Sequence, residues 1–147
     1  MKLTYGPAFQ EDIDSIYQMA ADLIVQYEDF SVLNREKILA WTHRSIASHL
    51  PSYSRVYRDG MLAGFFCMMP SEGKTELDNL FLLPEFRGQG IGTVILKKCI
   101  AESGGDIFLC VFRENKGAFS LYQRMGFRVT REVGTTRYVM EYTKEGC

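Results

Sequence analysis

The sequence has almost no net charge and few of the residues that hold metals or disulfide frameworks. Its 17 basic and 18 acidic residues leave a net charge of −1, which disfavours a nucleic-acid partner because such proteins carry a basic face. The chain has two histidines and no adjoining acidic or cysteine cluster, so we expect no metal site. None of its cysteines is paired in a C-x-x-C motif, and their number is far below that of a disulfide scaffold. They are Cys67, Cys99, Cys110 and Cys147.

The sequence also lacks a long apolar run. A bilayer-spanning helix needs about 20 consecutive apolar residues, and no run here approaches that length. The first residues contain no apolar region typical of a secretory signal, and Gly6-Pro7 would interrupt one. We therefore expect a cytoplasmic protein without a membrane partner, with reduced cysteines and with residues 1–147 forming a single domain.

Four segments show the spacing of apolar residues that is typical of amphipathic helices. One runs from Ile13 to Ile24, where the apolar residues recur at steps of three and four. A second begins at Asn34, a residue type that caps helices, and continues towards Leu50. The third and fourth cover residues 90–102 and 115–125.

Strands are predicted wherever apolar residues alternate or form short runs. Asp59-Gly60 joins two of the strands, because this pair supplies the positive φ angles of a type I′ turn. The apolar run at 107–112 is typical of a central strand buried on both faces, while Gly6-Pro7 ends the first strand and residues 70–74 form a connection. The resulting order predicts an α/β fold with helices on both faces of a mixed sheet. The predicted strands are residues 3–5, 54–58, 61–66, 75–83, 107–112, 127–132 and 137–142.

A glycine-rich turn separates a buried strand from a helix in the segment LFLLPEFRGQGIGT at 80–93. Its alternate glycines let the backbone approach a ligand and direct several N–H groups to one point at the positive end of a helix dipole. Arg87 adds a full charge, so the turn suits a pyrophosphate. A Walker A loop is excluded because no lysine follows the glycines, and the G-x-G-x-G spacing differs from the dinucleotide-binding fingerprint.

This turn resembles the cofactor motif of the GNAT family of N-acetyltransferases, Arg/Gln-x-x-Gly-x-Gly/Ala, which RGQGIG at 87–92 fits. A second segment, NKGAFSLYQRMGF at 115–127, is similar to the family's Asn-x-x-Ala-x-x-Leu-Tyr-x-x-x-Gly-Phe helix. The resemblance is specific over residues 75–143. It implies the acyl-CoA N-acyltransferase fold, an α/β fold whose mixed, mostly antiparallel sheet is flanked by helices, and an acetyl-CoA-dependent N-acetyltransferase activity.

The resemblance also implies how acetyl-CoA is held as co-substrate. The backbone amides of the turn would hold the pyrophosphate, and the main chain of the preceding strand would bind the pantetheine arm. A V-shaped opening is expected between adjacent strands after residues 80–82 and 107–112. The expected cofactor-binding residues are Leu80, Phe81, Leu82, Arg87, Gly88, Gln89, Gly90, Ile91, Gly92, Thr93 and Asn115.

Acetyl transfer to an amine needs a proton donor for the departing thiolate and a neutral amine. Tyr122, which matches the tyrosine of the second motif, is the candidate donor; otherwise its ring packs between helix and sheet. Glu76 and Asp78 are candidate bases that share a strand face by parity, unless a bulge upsets it or both are solvated charges. We expect the two histidines, His43 and His49, at a helix surface rather than in catalysis.

The acceptor is harder to predict. Glu28, Asp29 and Phe30, with Tyr27 and Trp41 nearby, would suit a cationic amine beside an aromatic wall, but an exposed acidic turn with core aromatics is favoured. We expect direct transfer to the primary amine of a small molecule rather than through a nucleophile such as Cys110, which has no histidine partner in its segment. Protein or peptide N-acetylation, a non-catalytic acyl-CoA-binding module and a homodimer stay open.

Overall fold

The structure is a computed structural model that describes residues 1–144. Within these residues the strands are β1 (Leu3–Pro7), β2 (Tyr53–Arg58), β3 (Met61–Ser71), β4 (Lys74–Leu82), β5 (Ile107–Phe112), β6 (Arg128–Val133) and β7 (Arg137–Tyr142). They form one sheet in the order β1-β2-β3-β4-β5-β7-β6. Among the strands of residues 1–144, only β4 and β5 pair in parallel. The expected α/β fold with a mixed, mostly antiparallel sheet is confirmed.

The helices cover the two faces of this sheet, as expected. They are α1 (Ile13–Tyr27), α2 (Arg35–Ser48), α3 (Ile91–Glu102) and α4 (Lys116–Arg124). One core forms under α1 and α2, with Ile16 packed near Phe65 and Phe81. A second core forms under α3 and α4, where Ile95 and Leu109 are buried. Across the described residues, no helix combines the length and apolarity that crossing a membrane requires.

Two predicted strand ends were wrong, both at prolines. β1 continues through Gly6 to Pro7, because β1 is the outermost strand and an edge position tolerates a residue without an N–H. β3 likewise includes Pro70 and extends to Ser71. The connection that follows is a two-residue turn, Glu72-Gly73, with φ angles of 50° and 81°.

The predicted turn at Asp59-Gly60 is confirmed, with φ angles of 51° and 85°. Both residues therefore lie in the left-handed region that a type I′ hairpin requires. Asn34 caps α2 as predicted, because its side chain accepts a hydrogen bond of 2.9 Å from the amide of Lys37.

A buried ion pair fixes the start of α1 against β2. Asp12 is 4% exposed, and both of its carboxylate oxygens accept hydrogen bonds of 2.7 Å from the Arg55 guanidinium. Burial by itself would raise the pKa of Asp12. The Arg55 guanidinium and the amide of Phe9 outweigh that effect, so the pKa lies below its ordinary value.

The sheet opens between its two parallel strands. β4 and β5 pair only at Thr75–Ile107 and Glu76–Phe108, and beyond these positions they separate. The predicted V-shaped opening is therefore present, but it begins earlier, and residues 109–112 form its wall rather than preceding it. For this reason the prediction that β5 is buried on both faces is wrong. Leu109, on one face, is 2% exposed, whereas Cys110, on the other, is exposed.

Candidate active site

Two cavities adjoin the opening between β4 and β5. The first, here named the helix-side cavity, has a volume of about 230 Å³ and lies between α1, α2 and the sheet. The second, the turn-side cavity, has a volume of about 540 Å³ and reaches Arg87 and Gly92 at the start of α3. The residues that line both cavities are Leu23, Leu80, Phe81, Asn115, Ala118 and Tyr122. The two cavities therefore meet between α1, β4 and α4.

The glycine-rich turn presents a row of unused backbone donors. Gly88 and Gly90 have φ angles of 74° and 82°, a conformation that strains residues with a Cβ atom. Within the part of the chain that the structure describes, no protein acceptor takes the amide N–H groups of residues 88–93. These groups lie at the first turn of α3, where the helix dipole is positive, and the turn is open to solvent. The arrangement can bind an anionic group.

Side chains of the same segment hold the turn in shape. The Nε of Arg87 donates to the carbonyl oxygen of Leu82 over 3.0 Å. Gln89 donates to the carbonyl oxygen of Glu85 over 3.1 Å and accepts from Arg58 over 2.6 Å. A Cβ atom at Gly92 would lie 3.2 Å from the side chain of Leu121, so this glycine lets α3 pack closely on α4.

β4 offers a free backbone edge to the opening. On one side, Leu80, Phe81 and Leu82 pair with β3. On the other side no strand in the described part of the chain pairs with them, since β5 has already separated. An extended molecule with amide groups could pair with this edge as a further strand would.

Tyr122 lies where the two cavities meet. Its ring packs against Phe127 with centroids 5.9 Å apart, which agrees with the packing interpretation as well as with catalysis. Among residues 1–144 no group hydrogen-bonds to its hydroxyl, and the ring lines both cavities. Burial raises the pKa of Tyr122 to about 12, so the phenol keeps its proton at neutral pH.

Asn115 lies at the same junction and caps α4. Its side-chain oxygen accepts a hydrogen bond of 3.4 Å from the amide of Ala118, and the residue lines both cavities. The cap fixes the first turn of α4 and thereby the helix that carries Tyr122.

The two candidate carboxylates differ in position because β4 contains a bulge. Cys67 pairs with Asn79 and Met68 with Leu77, which leaves Asp78 as the extra residue. Asp78 lines the helix-side cavity, whereas Glu76 does not. Burial raises the pKa of both carboxyl groups; the charge of Asp78 raises that of Glu76 further, and His49 opposes both shifts. Of the two candidate carboxylates, Asp78 is thus the one that lines the cavity.

Glu28, in the acidic turn after α1, is neither exposed nor free to bind an amine. The Glu28 side chain is 3% exposed and accepts hydrogen bonds from the Thr136 hydroxyl, 2.6 Å, and the Arg137 guanidinium, 2.8 Å. Burial would raise the pKa of Glu28, but these two donors lower it below its ordinary value. The carboxylate therefore fastens the turn to β7.

The neighbouring aromatic residues also depart from the favoured prediction. Tyr27 packs on Phe112 with ring centroids 5.7 Å apart, and Phe30 lies beneath the Arg35 guanidinium at 5.8 Å. Trp41 is 62% exposed and lines the helix-side cavity. It is not a core residue, because α2 covers the cavity at this point rather than the sheet. Asp29 accepts hydrogen bonds from Ser31.

Both histidines lie exposed on α2 or at its end, as expected. His43 contacts Asp14 over 3.5 Å, and Nδ1 of His49 lies 2.8 Å from the carbonyl oxygen of Ser45. Although Cys110 is exposed at the opening, the protein groups packed around it desolvate its thiol and raise its pKa despite the opposing charge of Arg137, which disfavours the thiolate that a nucleophile needs. Cys147 lies outside the described residues. In the part described, no three His, Cys, Asp or Glu side chains gather to hold a metal ion.

Sequence reasoning missed two residues of the site, Asn79 and Arg137. The Asn79 amide donates to the Tyr53 hydroxyl over 2.5 Å, which ties the residue after the bulge to β2. Arg137 lines the helix-side cavity and stacks over Phe112 at 4.5 Å. No local signal could have found these contacts, because each joins residues more than 20 positions apart.

Comparison with known proteins gives a family and a fold. A family model described as "Acetyltransferase (GNAT) family" matches residues 13–127. A spermidine N(1)-acetyltransferase of Thermoplasma acidophilum is 30% identical over 112 residues, which cover 74% of this chain and 69% of that protein. An uncharacterised N-acetyltransferase of Methanocaldococcus jannaschii is 45% identical over 56 residues, and a mycothiol acetyltransferase of Nocardia farcinica 30% over 80. These two matches cover 35% and 54% of this chain but only 25% and 26% of the relatives.

Solved structures match the whole fold. A PaiA N-acetyltransferase from Thermoplasma acidophilum, crystallised with coenzyme A, superposes with a TM-score of 0.67 at 22% identity over 97% of this chain and 99% of that one. An N-acetyltransferase from Staphylococcus aureus gives a TM-score of 0.71 at 13% identity over 94% and 99%. At such identities the likeness shows the fold alone.

Proposed function

Because this chain belongs to the GNAT family of acetyltransferases, we propose that it transfers the acetyl group of acetyl-CoA to the primary amine of a small molecule. The observation that carries the proposal is the position of Tyr122. Its phenol lies where the turn-side cavity, which reaches the unused amides of the glycine-rich turn, meets the helix-side cavity, which is lined by Asp78. Residues 1–147 act in this proposal as a single catalytic domain.

The residues present fit the co-substrate. The free N–H groups of residues 88–93 would hold the pyrophosphate, with Arg87 beside them. The unpaired edge of β4 at Leu80–Leu82 would bind the amides of the pantetheine arm, and Asn115 lines the path between the two cavities. When bound, the thioester supplies an activated acetyl group.

The chain's own groups would move two protons. As the amine nitrogen bonds to the acetyl carbon and the carbon–sulfur bond breaks, Asp78 receives the proton that the amine loses. Tyr122 gives its phenolic proton to the departing sulfur. The raised pKa of Asp78 makes its carboxylate a stronger base than a solvated aspartate. The pKa of about 12 at Tyr122 keeps the phenol protonated until the sulfur needs the proton.

The transfer would be direct, with no acyl group on the protein. Cys110 is exposed on the cavity wall, but desolvation by the protein groups around it raises the pKa of its thiol. Without a base partner such a thiol stays protonated and is a poor nucleophile. Holding the amine and the thioester at one junction removes much of the entropic barrier instead.

The test is acetyl-CoA binding by calorimetry, followed in the same sample by free-thiol release with a panel of primary amines. Binding with amine-dependent thiol release is the expected result. Binding without turnover on the whole panel would instead favour a non-catalytic acyl-CoA-binding module, and in that case Tyr122→Phe would change nothing measurable. Failure to bind acetyl-CoA at all would refute the assignment of the turn.

A further inference from the structure

The helix-side cavity is lined mainly by apolar side chains. Leu23 and Ile24 of α1 and Ile38 and Ile46 of α2 form the wall opposite the sheet. Trp41 adds an indole that is 62% exposed. An exposed indole beside a cavity offers apolar surface that a ligand could bury.

Charge in this cavity is sparse. Among the residues that the structure describes, Asp78 is the one carboxylate that lines it. The cation on its wall, Arg137, is held 2.8 Å from the buried carboxylate of Glu28, so this pair adds little net charge. Asp22 lines the turn-side cavity rather than this one, and there the co-substrate would lie.

The helix that covers the cavity carries a net positive charge, although none of its charged residues lines the cavity. α2 carries three basic residues against one acidic residue; they are Arg35, Lys37, Arg44 and Glu36. A polyamine keeps one or more ammonium groups after its reacting nitrogen has lost a proton. Each of those groups would need a carboxylate to offset its desolvation. The cavity provides one, which the reacting amine itself occupies.

We infer that the acceptor is a monoamine on an aromatic or branched aliphatic body, whose apolar part packs against Trp41 while its nitrogen meets Asp78. This assignment rests on the proposed function. It also separates this chain from the spermidine and spermine acetyltransferases that it resembles in sequence.

The first test compares kcat/KM for phenethylamine and spermidine at saturating acetyl-CoA. Phenethylamine is expected to be at least about tenfold better, since its ring can be buried against Trp41 and the apolar wall of the cavity. An equal or higher value for spermidine would overturn the inference and leave the proposed acetyl transfer intact.

The second test uses matched variants of exposed apolar residues. Trp41→Ala should lower kcat/KM for phenethylamine about tenfold or more and change that for methylamine less than about twofold. Met61→Ala is the control, because Met61 is 65% exposed at the start of β3 and lines neither cavity. Equal losses in the two variants, or a loss that extends to methylamine, would contradict stacking on Trp41.

The third test does not need turnover. Trp41 is the single tryptophan of the chain, so its fluorescence reports on this cavity alone. With coenzyme A present, phenethylamine should change the emission in a saturable manner and spermidine should not. If no amine is acetylated but this saturable change appears, the proposed function fails and the inferred ligand class stands; a saturable change with spermidine alone overturns the inferred class.

Discussion

Replacing Tyr122 with phenylalanine removes one hydroxyl from the junction of the two cavities. No described residue hydrogen-bonds to that hydroxyl, and the ring contact with Phe127 at 5.9 Å remains. We therefore expect the free energy of unfolding to change by less than about 1 kcal/mol. Loss of the proton donor should lower kcat about 10²- to 10⁴-fold. Binding of acetyl-CoA should stay within about twofold, since the phenol acts on the departing sulfur.

The assay is free-thiol release at saturating acetyl-CoA, measured from pH 6 to pH 10 with the wild type, Tyr122→Phe and Tyr142→Phe. Tyr142 packs against the same Phe127, with centroids 5.7 Å apart, and lines neither cavity. Its variant should keep the wild-type kcat. Because the pKa of Tyr122 is about 12, only about 1% of the phenol is ionised at pH 10, so the wild-type rate should show no alkaline fall within this range. A loss of kcat below threefold in Tyr122→Phe, or an equal loss in Tyr142→Phe, would refute the proton-donor assignment.

Three further changes test the site and its support. Asp78→Asn should lower kcat/KM at neutral pH by about 10²-fold or more. Asp78→Asn should also raise the urea midpoint of unfolding. Burial raises the pKa of Asp78, so its ionised carboxylate destabilises the fold at neutral pH, and asparagine cannot ionise. A lower midpoint would contradict this reasoning. Gly90→Ala should weaken acetyl-CoA binding in calorimetry and lower the free energy of unfolding by about 1–2 kcal/mol, since the φ angle of Gly90 is 82°. The control is Gly117→Ala, which should do neither, because Gly117 is a helical glycine with open space around it. Asp12→Asn should cost about 3 kcal/mol at pH 7 because it breaks the buried pair with Arg55; this cost should shrink as the pH falls through the lowered pKa of Asp12, and a cost independent of pH would argue against the ion pair.

Local patterns predicted the elements because local physics decides them. The spacing of apolar residues from Ile13 to Ile24 is imposed by the helix period, and α1 covers Ile13–Tyr27. Asp59-Gly60 forms the predicted turn because few residue pairs adopt two positive φ angles. Asn34 and Asn115 cap their helices through their own side chains. Such features depend on a few neighbouring residues.

The site depends on contacts between segments that are far apart in the sequence, and these contacts could not be predicted. The bulge at Asp78 exists because β3 and β4 pair with unequal numbers of residues, and neither strand shows this alone. Trp41 lies on the apolar stripe of its helix, where a core residue is expected. It is exposed instead, because the sheet beneath it has opened into a cavity. The same opening exposes Cys110 within a run that is apolar throughout. The assignments of Tyr122, Glu76, Asp78 and the cofactor-binding residues remain predictions.

The separation of β4 from β5 gives the sheet two further edges in its middle, in addition to those at β1 and β6. An exposed strand edge usually invites another polypeptide to pair with it, but these edges face a cavity between helices, so only a slender chain of amides can reach them. Acetyl-CoA would thus complete the sheet from within. A ligand that binds the folded state alone stabilises it, by about 2.7 kcal/mol at a concentration 100 times its Kd. The lifetime of this protein in a cell would then follow the supply of acetyl-CoA, as the folded chain persists when its substrate is plentiful and unfolds more readily in scarcity.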